Sequence, residues 1–292
     1  MFFKIQKGSL TGLNKPRVTA AFFVLSLFLV HIYFLSASVS GGLADDASSL
    51  QQAGRGPVEV REYKLSYDIG FWIFQRIGVG TAMLERMDKP ATYTVTLEAH
   101  PVGIFASIVK RQMIYQTVME LDKNSNRLRP LCSSQKRIKG KETRDKTIKF
   151  DYEKGMCTFE YRKNGVLEKE KTISIPSKLI PEDAVTAFHN FCNGVYGEVN
   201  EGSRYNIKIM VKERPSNLSL EVCSTDGRKE FPLQENKEKA LGFVAKINLD
   251  PEIVESNKGE IFVSFSSDST PLAVKVKDVI GYGDLYGHLT TR

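Results

Sequence analysis

The sequence has few of the side chains and none of the short motifs on which most enzyme active sites depend. It contains one tryptophan, four histidines and four cysteines. It has no phosphate-binding loop, no Gly-x-Ser-x-Gly elbow and no His-Glu-x-x-His helix. We therefore expect no catalytic residues and no cofactor. The sequence leaves enzymatic activity open, but it favours a protein that is not an enzyme.

The cysteines also lack the arrangement of a metal site. No two of them have C-x-x-C spacing and none lies in a cluster with histidine, so we expect no metal. Cys132, Cys157, Cys192 and Cys223 leave two alternatives open. They form disulfides, with three possible connectivities, or they are isolated thiols buried in a core.

Acidic residues are missing from the first forty positions, which carry Lys4, Lys7, Lys15 and Arg17. A continuous apolar run from Val18 to Leu35 follows these basic residues. A signal-peptide core has about 7–15 residues, whereas a membrane-spanning helix needs about 18 or more. A cleaved signal peptide and an uncleaved inner-membrane anchor therefore both fit. Both place the rest of the chain outside the cytoplasm.

These features predict three regions. Residues 1–37 are a cytoplasmic basic segment and a hydrophobic helix, either a transmembrane anchor or a signal peptide. Residues 38–57 are rich in Ser, Gly, Ala and Gln and form a flexible linker. Residues 58–292 form one domain, which lies in the periplasm and is tethered to the inner membrane, or is released to the periplasm if the segment is cleaved.

The body of the chain alternates apolar and polar residues with a period of two, which is typical of strands that bury one face. Tyr63-x-Leu65-x-Tyr67 and Ile261-x-Val263-x-Phe265 are two of eight such segments. Asn164-Gly165 is a strong hairpin signal. The fold class is therefore mainly β, an antiparallel barrel-like or strongly curved sheet.

One segment has helical spacing instead. Between Pro181 and Asn193 the apolar residues recur three and four positions apart. Pro181 suits the first turn of a helix and Gly194 suits its end. We predict one short helix here, packed against the sheet.

Two stretches are apolar without alternation, Phe71 to Phe74 and Val102 to Ala106. On a sheet with one face exposed to water they are either covered by a neighbouring segment, or they line the mouth of an apolar cavity or touch a membrane.

Asp268 stands in a predicted strand-to-strand loop. It is either a carboxylate at the cavity mouth or a turn residue bonded to its own backbone. The candidate ligand-binding residues are Phe71, Trp72, Phe74, Ile104, Phe105 and Asp268.

Basic residues are concentrated between Lys136 and Lys149, with only Glu142 and Asp145 among them. Such a run is commonly a solvated face, and contact with anionic lipid headgroups or an acidic glycan is the alternative. We expect no nucleic-acid partner, because no aromatic residues are interleaved for base stacking.

The order of several short stretches resembles a bacterial family of exported proteins, domain of unknown function 3108. The stretches are Tyr67-x-Ile69-Gly70-Phe71-Trp72, Arg129-Pro130, Phe150-Asp151, Asp183-Ala184-Val185-Thr186-Ala187-Phe188, Phe265-Ser266-Ser267-Asp268 and Gly281-Tyr282-Gly283-Asp284-Leu285. Cys192 departs from the family pattern, which usually has an arginine near the end of the helix. The resemblance implies an exported protein with a β-rich fold, and it implies no catalytic residues.

Three functions remain as hypotheses. The first is a non-enzymatic envelope module that binds an apolar or amphipathic, lipid-like ligand. The second is a structural or assembly partner of another envelope protein. The third is a hydrolase built from Asp183, His189, Asp268 or His288, which requires the fold to bring these side chains together.

Overall fold

The structure is a computed structural model. It describes residues 60 to 291 except for 61, 72, 73, 177, 178, 212, 225–240, 255 and 280–282. The expected N-terminal hydrophobic helix and the linker lie outside the described residues. Among the described helices, none combines the length and the apolar character needed to cross a membrane.

Fourteen strands in the described part of the chain form a single antiparallel sheet. Their bounds are β1 Tyr63–Phe71, β2 Phe74–Arg86, β3 Thr92–Pro101, β4 Arg111–Asp122, β5 Arg127–Lys139, β6 Glu142–Asp151, β7 Met156–Lys163, β8 Val166–Ser174, β9 Arg204–Met210, β10 Pro215–Val222, β11 Leu241–Asn248, β12 Glu260–Ser266, β13 Pro271–Val279 and β14 Gly283–Thr291. The helices are α1 Gly103–Val109, α2 Ala184–Cys192 and α3 Pro251–Val254. The β-rich class predicted from alternation is confirmed.

Hairpins connect most neighbours in the sheet, and local sequence explains their turns. Asn164 and Gly165 both have positive φ, 49° and 81°, which is the backbone of the tight turn that Asn-Gly favours. Along β1 the side chains of Tyr63, Leu65 and Tyr67 are buried and those between them are more exposed. The period-two pattern therefore predicts which face of the strand packs inward.

The sheet is curved but not closed by a continuous ladder. Its strand order runs from β8 in sequence back to β1, then through β14 back to β9. The strand β1 pairs with β2 on one side and with β14 on the other, so the first and last strands are neighbours. The two outer strands, β8 and β9, do not pair with each other. The described strands therefore form one large antiparallel sheet that is not closed.

Helix α2 lies against the concave face of this sheet. Asp183 caps its N-terminus by accepting from the backbone N–H of Thr186 at 2.9 Å. Phe188 and Phe191 are buried in the main core, where Phe188 stacks on Phe265 of β12 and Phe191 meets the same ring edge to face. The predicted segment, 181 to 193, contains the observed helix. Strands β1 to β5 and β9 to β14 supply the rest of this core, so the described residues share one hydrophobic core of their own.

The helices α1 and α3 were not predicted. Five apolar residues at 102 to 106 are too few to display a helical period, and α3 has only one turn. The prediction of a single helix is therefore incomplete. Helix α1 follows β3 at the same end of the sheet as the turn between β1 and β2, which we call the tip end.

The edges β8 and β9 approach each other along a seam held by side chains. Lys169 and Lys171 of β8 form ion pairs with Glu213 in the β9–β10 turn, the second at 3.0 Å. Met210 packs into a small second core with residues of β6 and β7, among them Phe159. The backbone N–H of Met210 donates to the carbonyl of Glu182. In the described residues the seam is thus held by ion pairs and apolar packing rather than by a backbone ladder.

Replacing Glu213 with glutamine is expected to destabilise the fold by about 1 kcal/mol at pH 7 and low ionic strength. Hydrogen bonds from Lys169 and Lys171 lower the pKa of Glu213 to about 2. Because the folded-state pKa is depressed, the contribution is present above the ordinary value of about 4.3 and is lost as the pH falls through about 2. Urea denaturation of both proteins at pH 7 and pH 3 measures this. A difference that grows on acidification would contradict the pairing.

The four cysteines are free thiols in this structure. Cys157 and Cys223 are buried, and Cys132 and Cys192 are partly buried. Burial raises the pKa of the Cys157 thiol to about 12, so this cysteine is a poor nucleophile at neutral pH. The structure agrees with the alternative of isolated thiols.

Candidate functional site

Five apolar side chains converge at the tip end, and we call them the apolar tip: Phe71, Phe74, Ile104, Phe105 and Ile108. Three of them form an aromatic cluster. The ring of Phe74 lies 5.3 Å from that of Phe71 and 5.4 Å from that of Phe105, measured between centroids. The β1–β2 turn supplies two of these residues and α1 supplies the other three.

The outer surface of the tip is exposed to water. Ile104 is 78% exposed, Ile108 is 72% exposed and Phe74 is 43% exposed. Phe71 and Phe105 are half-buried and pack against the main core beneath. Isolated exposed apolar residues are ordinary, whereas several of them exposed together are a candidate interaction surface.

Local backbone geometry explains why α1 projects its apolar side outward. Gly103, with φ of 57°, turns the chain out of β3. Lys110, in the left-handed conformation, ends the helix, and its N–H bonds to the carbonyl of Ala106. Ile104 and Ile108 are four residues apart and therefore share one helix face. That spacing could have revealed Ile108, which the analysis of apolar runs missed.

Two lysines flank the apolar tip. Lys110 follows α1 directly, and the turn that carries Lys141 is held beside it, because the N–H of Gly140 donates to the carbonyl of Lys110 at 3.3 Å. Both lysines are exposed. Among the ion pairs of the described residues, none involves either of them. The tip therefore presents apolar side chains beside cationic ones.

Two of the six candidate ligand-binding residues, Trp72 and Asp268, are not part of the apolar tip. Trp72 lies outside the described residues. Asp268 lies in the β12–β13 turn, at the end of the sheet opposite the tip. Its carboxylate accepts from the hydroxyl of Ser266 and from the backbone N–H of Thr270. Asp268 thus accepts hydrogen bonds from its own loop, as the turn-residue alternative describes, and it lies apart from the apolar tip.

A buried carboxylate inside the sheet has a structural role that the sequence did not indicate. Asp183 accepts hydrogen bonds from Tyr115 at 2.7 Å, Thr117 at 2.5 Å and Ser133 at 2.8 Å. Burial, followed by the charge of Asp183, raises the pKa of the Tyr115 phenol, so this hydroxyl remains a donor. With its helix-capping bond, Asp183 has four donors, and it joins α2 to strands β4 and β5.

Glu182 makes a second set of bonds at the same helix end. Nε and Nη2 of Arg127 each lie 2.8 Å from its carboxylate, and Tyr196 and Asn190 also donate to it. Burial raises the pKa of Glu182, and the Arg127 charge opposes that shift. Asn190 also bonds both backbone groups of Leu128. These contacts fix the helix to β5.

The residues proposed for a hydrolase do not form one constellation. His189 lies beside Tyr63, with ring centroids 6.4 Å apart, and Asp183 is bonded to β4 and β5. Burial lowers the pKa of His189 to about 3, which makes it a weak base. His288 pairs in register with Ala273, which belongs to a cluster on the convex face. The described residues contain no group of three or more metal-ligating side chains.

The basic run is divided between the two faces of the sheet. Residues directly opposite each other in antiparallel strands point to the same face. The concave face near the tip end carries what we call the basic rim: Arg111, Arg137, Lys139, Arg144, Lys146 and Lys163. Glu142 lies among them and pairs with Arg144 and Lys163. Lys136 points to the convex face.

Comparison with known families decides the membership of the chain. The family described as "Protein of unknown function (DUF3108)" matches residues 62–290, which is most of the sequence. The chain belongs to this family. The match covers the DUF3108 domain from the first strand to the last, in agreement with the resemblance noted in the sequence. The family description names no activity, so the function must be argued from the site.

The DUF3108 domain is also similar to a solved structure from Brucella abortus, described as a "Beta-barrel-like Protein of Domain of Unknown Function DUF1849". The two chains are 11% identical, and the TM-score is 0.47 over 79% of this chain and 96% of that chain. The curated proteins contain no match to the DUF3108 domain.

Proposed function

We propose that the domain is a non-enzymatic module of the cell envelope that binds lipid by inserting its apolar tip into a membrane interface. The exposure of Ile104 and Ile108 on one face of α1, beside Phe74, carries this proposal. Interfacial segments combine such residues with lysines at their border, and here these are Lys110 and Lys141.

The expected strength of this contact is moderate. Complete burial of one Ile or Phe side chain gains about 1.5–3 kcal/mol, so the exposed fractions of the three outer side chains amount to about 3–6 kcal/mol. Each lysine adds about 1 kcal/mol near an anionic surface. Binding of this size is reversible. The predicted N-terminal anchor would strengthen it by making the contact intramolecular.

The predicted linker has enough length for this arrangement. Strand β1 starts at the end opposite the tip and spans about 30 Å. Twenty residues, 38 to 57, extend to at most about 70 Å. The tip would therefore reach the membrane that holds the anchor, as well as a membrane facing it.

Replacing Ile104 and Ile108 together with aspartate is expected to reduce vesicle binding by at least tenfold. The body, residues 58–292, is sedimented with vesicles of phosphatidylglycerol and phosphatidylethanolamine, and the bound fraction is measured. Aspartate at both positions removes the inserting side chains and adds two repelling charges. Both residues are exposed, so the variant folds normally, which circular dichroism checks.

The matched control replaces Met87 and Ile180 with aspartate. These residues are 40% and 46% exposed and lie away from the tip, in the β2–β3 turn and in the segment before α2. The control changes the net charge by the same amount as the tip variant. Because neither residue belongs to the apolar tip, the control should bind vesicles like the unmodified body. Equal losses in both variants, or no binding by the unmodified body, would reject the proposal.

A partner protein is the second candidate, favoured by the open edge of β8. The described strands pair with β8 on one side only, and its side chains are almost all exposed. Such an edge can accept a strand from another protein. However, Glu168, Lys169, Glu170 and Lys171 place charges along this strand, which is how natural sheets protect an edge from pairing. The lipid contact therefore stands as the main proposal.

A further inference from the structure

We infer that the basic rim and the cleft next to it form one binding site for a single-chain amphiphile with a phosphate head group. The rim would bind the phosphate, and the cleft would take the end of the alkyl chain. This site uses none of the residues of the apolar tip, so it does not rest on the membrane contact proposed above.

The register of β4 to β7 arranges the concave face in rows across the strands. The row nearest the tip end contains Arg111, Lys139 and Glu142, and the next contains Met113, Arg137, Arg144 and Lys163. The third row contains Tyr115, Gln135, Lys146 and Tyr161, and the fourth contains Thr117, Ser133, Ile148 and Phe159. Cationic side chains therefore give way to aromatic, apolar and hydroxyl-bearing ones over about 20 Å along the strands. An amphiphile aligned with the strands matches this gradient.

Four described carboxylates that lie at or near this surface are bound to cations or hydroxyls. Glu142 pairs with Arg144 and Lys163, and Glu213, across the seam, pairs with Lys169 and Lys171. Asp250 pairs with Arg214 at 3.2 Å. Asp183 accepts from three hydroxyls, and two of their residues, Tyr115 and Ser133, line the cleft. The basic side chains outnumber these carboxylates, so the surface attracts an anion.

Arginine in this position favours phosphate. A guanidinium presents a planar set of N–H donors that matches phosphate oxygens. Gln135, with its amide oxygen turned toward Arg137, accepts from Nε at 2.7 Å and from Nη2 at 2.9 Å. This contact holds the guanidinium beside the cleft, since Gln135 also lines it.

The cleft lies between the start of α2 and the basic rim, and its walls are mostly apolar. Its volume is about 40 Å³. Its apolar lining comes from both sides of the seam: Ile148, Ala184, Met210, Val211, Leu249 and Ile253. Lys146 stands at the cleft and donates to the carbonyl of Val211 at 3.3 Å. A space of this size takes the end of one alkyl chain and excludes a second chain.

The test is isothermal titration of the body, residues 58–292, with decyl phosphate below its micellar concentration. One molecule is expected to bind per chain, and inorganic phosphate should bind at least tenfold more weakly. Replacing Arg137 and Arg144 with methionine should weaken decyl phosphate binding at least tenfold. The control replaces Lys136 and Lys123 with methionine, which removes the same amount of charge outside the concave face. The affinity for decyl phosphate should then change less than twofold.

Other outcomes would overturn the inference. Equal affinity for inorganic phosphate would mean that the rim binds free phosphate and that the cleft contributes nothing. Equal effects of the two methionine pairs would mean that only net charge matters, and absence of saturable binding would remove the site. The Ile104→Asp, Ile108→Asp variant should bind decyl phosphate normally. This separates failure of the site from failure of the membrane contact.

Discussion

Replacing Asp183 with alanine is expected to lower the free energy of unfolding by about 3–5 kcal/mol. The carboxylate accepts from three side-chain hydroxyls and caps α2. Its removal leaves the buried hydroxyls of Tyr115, Thr117 and Ser133 without their charged acceptor, and hydrogen bonds to charged groups contribute about 1.5–3 kcal/mol each. Loss of the cap adds about 1 kcal/mol. The net loss is smaller than this sum, because the alanine variant no longer bears the cost of burying a carboxylate away from water.

Urea denaturation at pH 7, followed by circular dichroism, measures this loss. The control is Asp151→Ala, which removes an exposed aspartate paired with Lys154 and should cost less than about 1 kcal/mol. A cost below about 1.5 kcal/mol for Asp183→Ala would show that the hydroxyls find other partners. In that case Asp183 would not be the residue that joins the helix to β4 and β5.

Replacing Gly259 with alanine is expected to cost about 3 kcal/mol or more. Gly259 precedes β12 and has φ of 69°, a conformation that disfavours any side chain. A Cβ at this position would also overlap the carbonyl oxygen of Leu249, the residue whose N–H bonds to the carbonyl of Gly259. Relief of the overlap has to move the segment that carries Leu249 and Ile253, which form one wall of the cleft.

Gly165→Ala provides a matched control for this prediction. Gly165 also has positive φ, 81°, but a Cβ there would meet no atom within 4 Å. Its replacement costs only the backbone strain, about 1 kcal/mol. The difference between the two variants in thermal or urea unfolding isolates the close approach at Gly259. Equal costs would show that the Leu249 segment moves freely.

Period-two alternation predicted the strands because each strand buries one face, and this constraint is local. Helix α2 was predicted in the same way, because a helix that buries one face repeats apolar residues three and four positions apart, as Ala184 and Phe188 do. The pairing of β1 with β14 could not be predicted in this way. Alternation fixes which face of a strand is buried, but it carries no information on the neighbour across a gap of two hundred residues.

The apolar tip was predicted in part. Phe71, Phe74 and Phe105 were identified because consecutive apolar residues violate the alternation of a sheet with one wet face. The structure brings these three together. The separation of Asp268 from these residues could not be predicted, because loops at the two ends of a sheet look alike in sequence and only the strand order distinguishes them.

The basic rim was visible in the sequence as a charged run, but its division between two faces was not recognised. Period two alone separates Lys136 from Arg137. The alignment of Arg137 with Arg144 and Lys163, however, depends on hairpin register. That register places cations from three strands in one row. Only the structure reveals the register.

The pairing of β1 with β14 also governs the stage at which the sheet can be completed. Ser66 pairs in register with Thr291, so one edge of β1 stays unpaired until the last strand is in place. Closing so long a loop makes folding slow, because its entropic cost precedes the gain from contacts. During this delay the open edges of β1 and of the partly formed sheet can associate with other chains. The order of strands thus makes the interval before β14 docks a vulnerable stage of folding, and a chain truncated before β14 would keep that edge permanently.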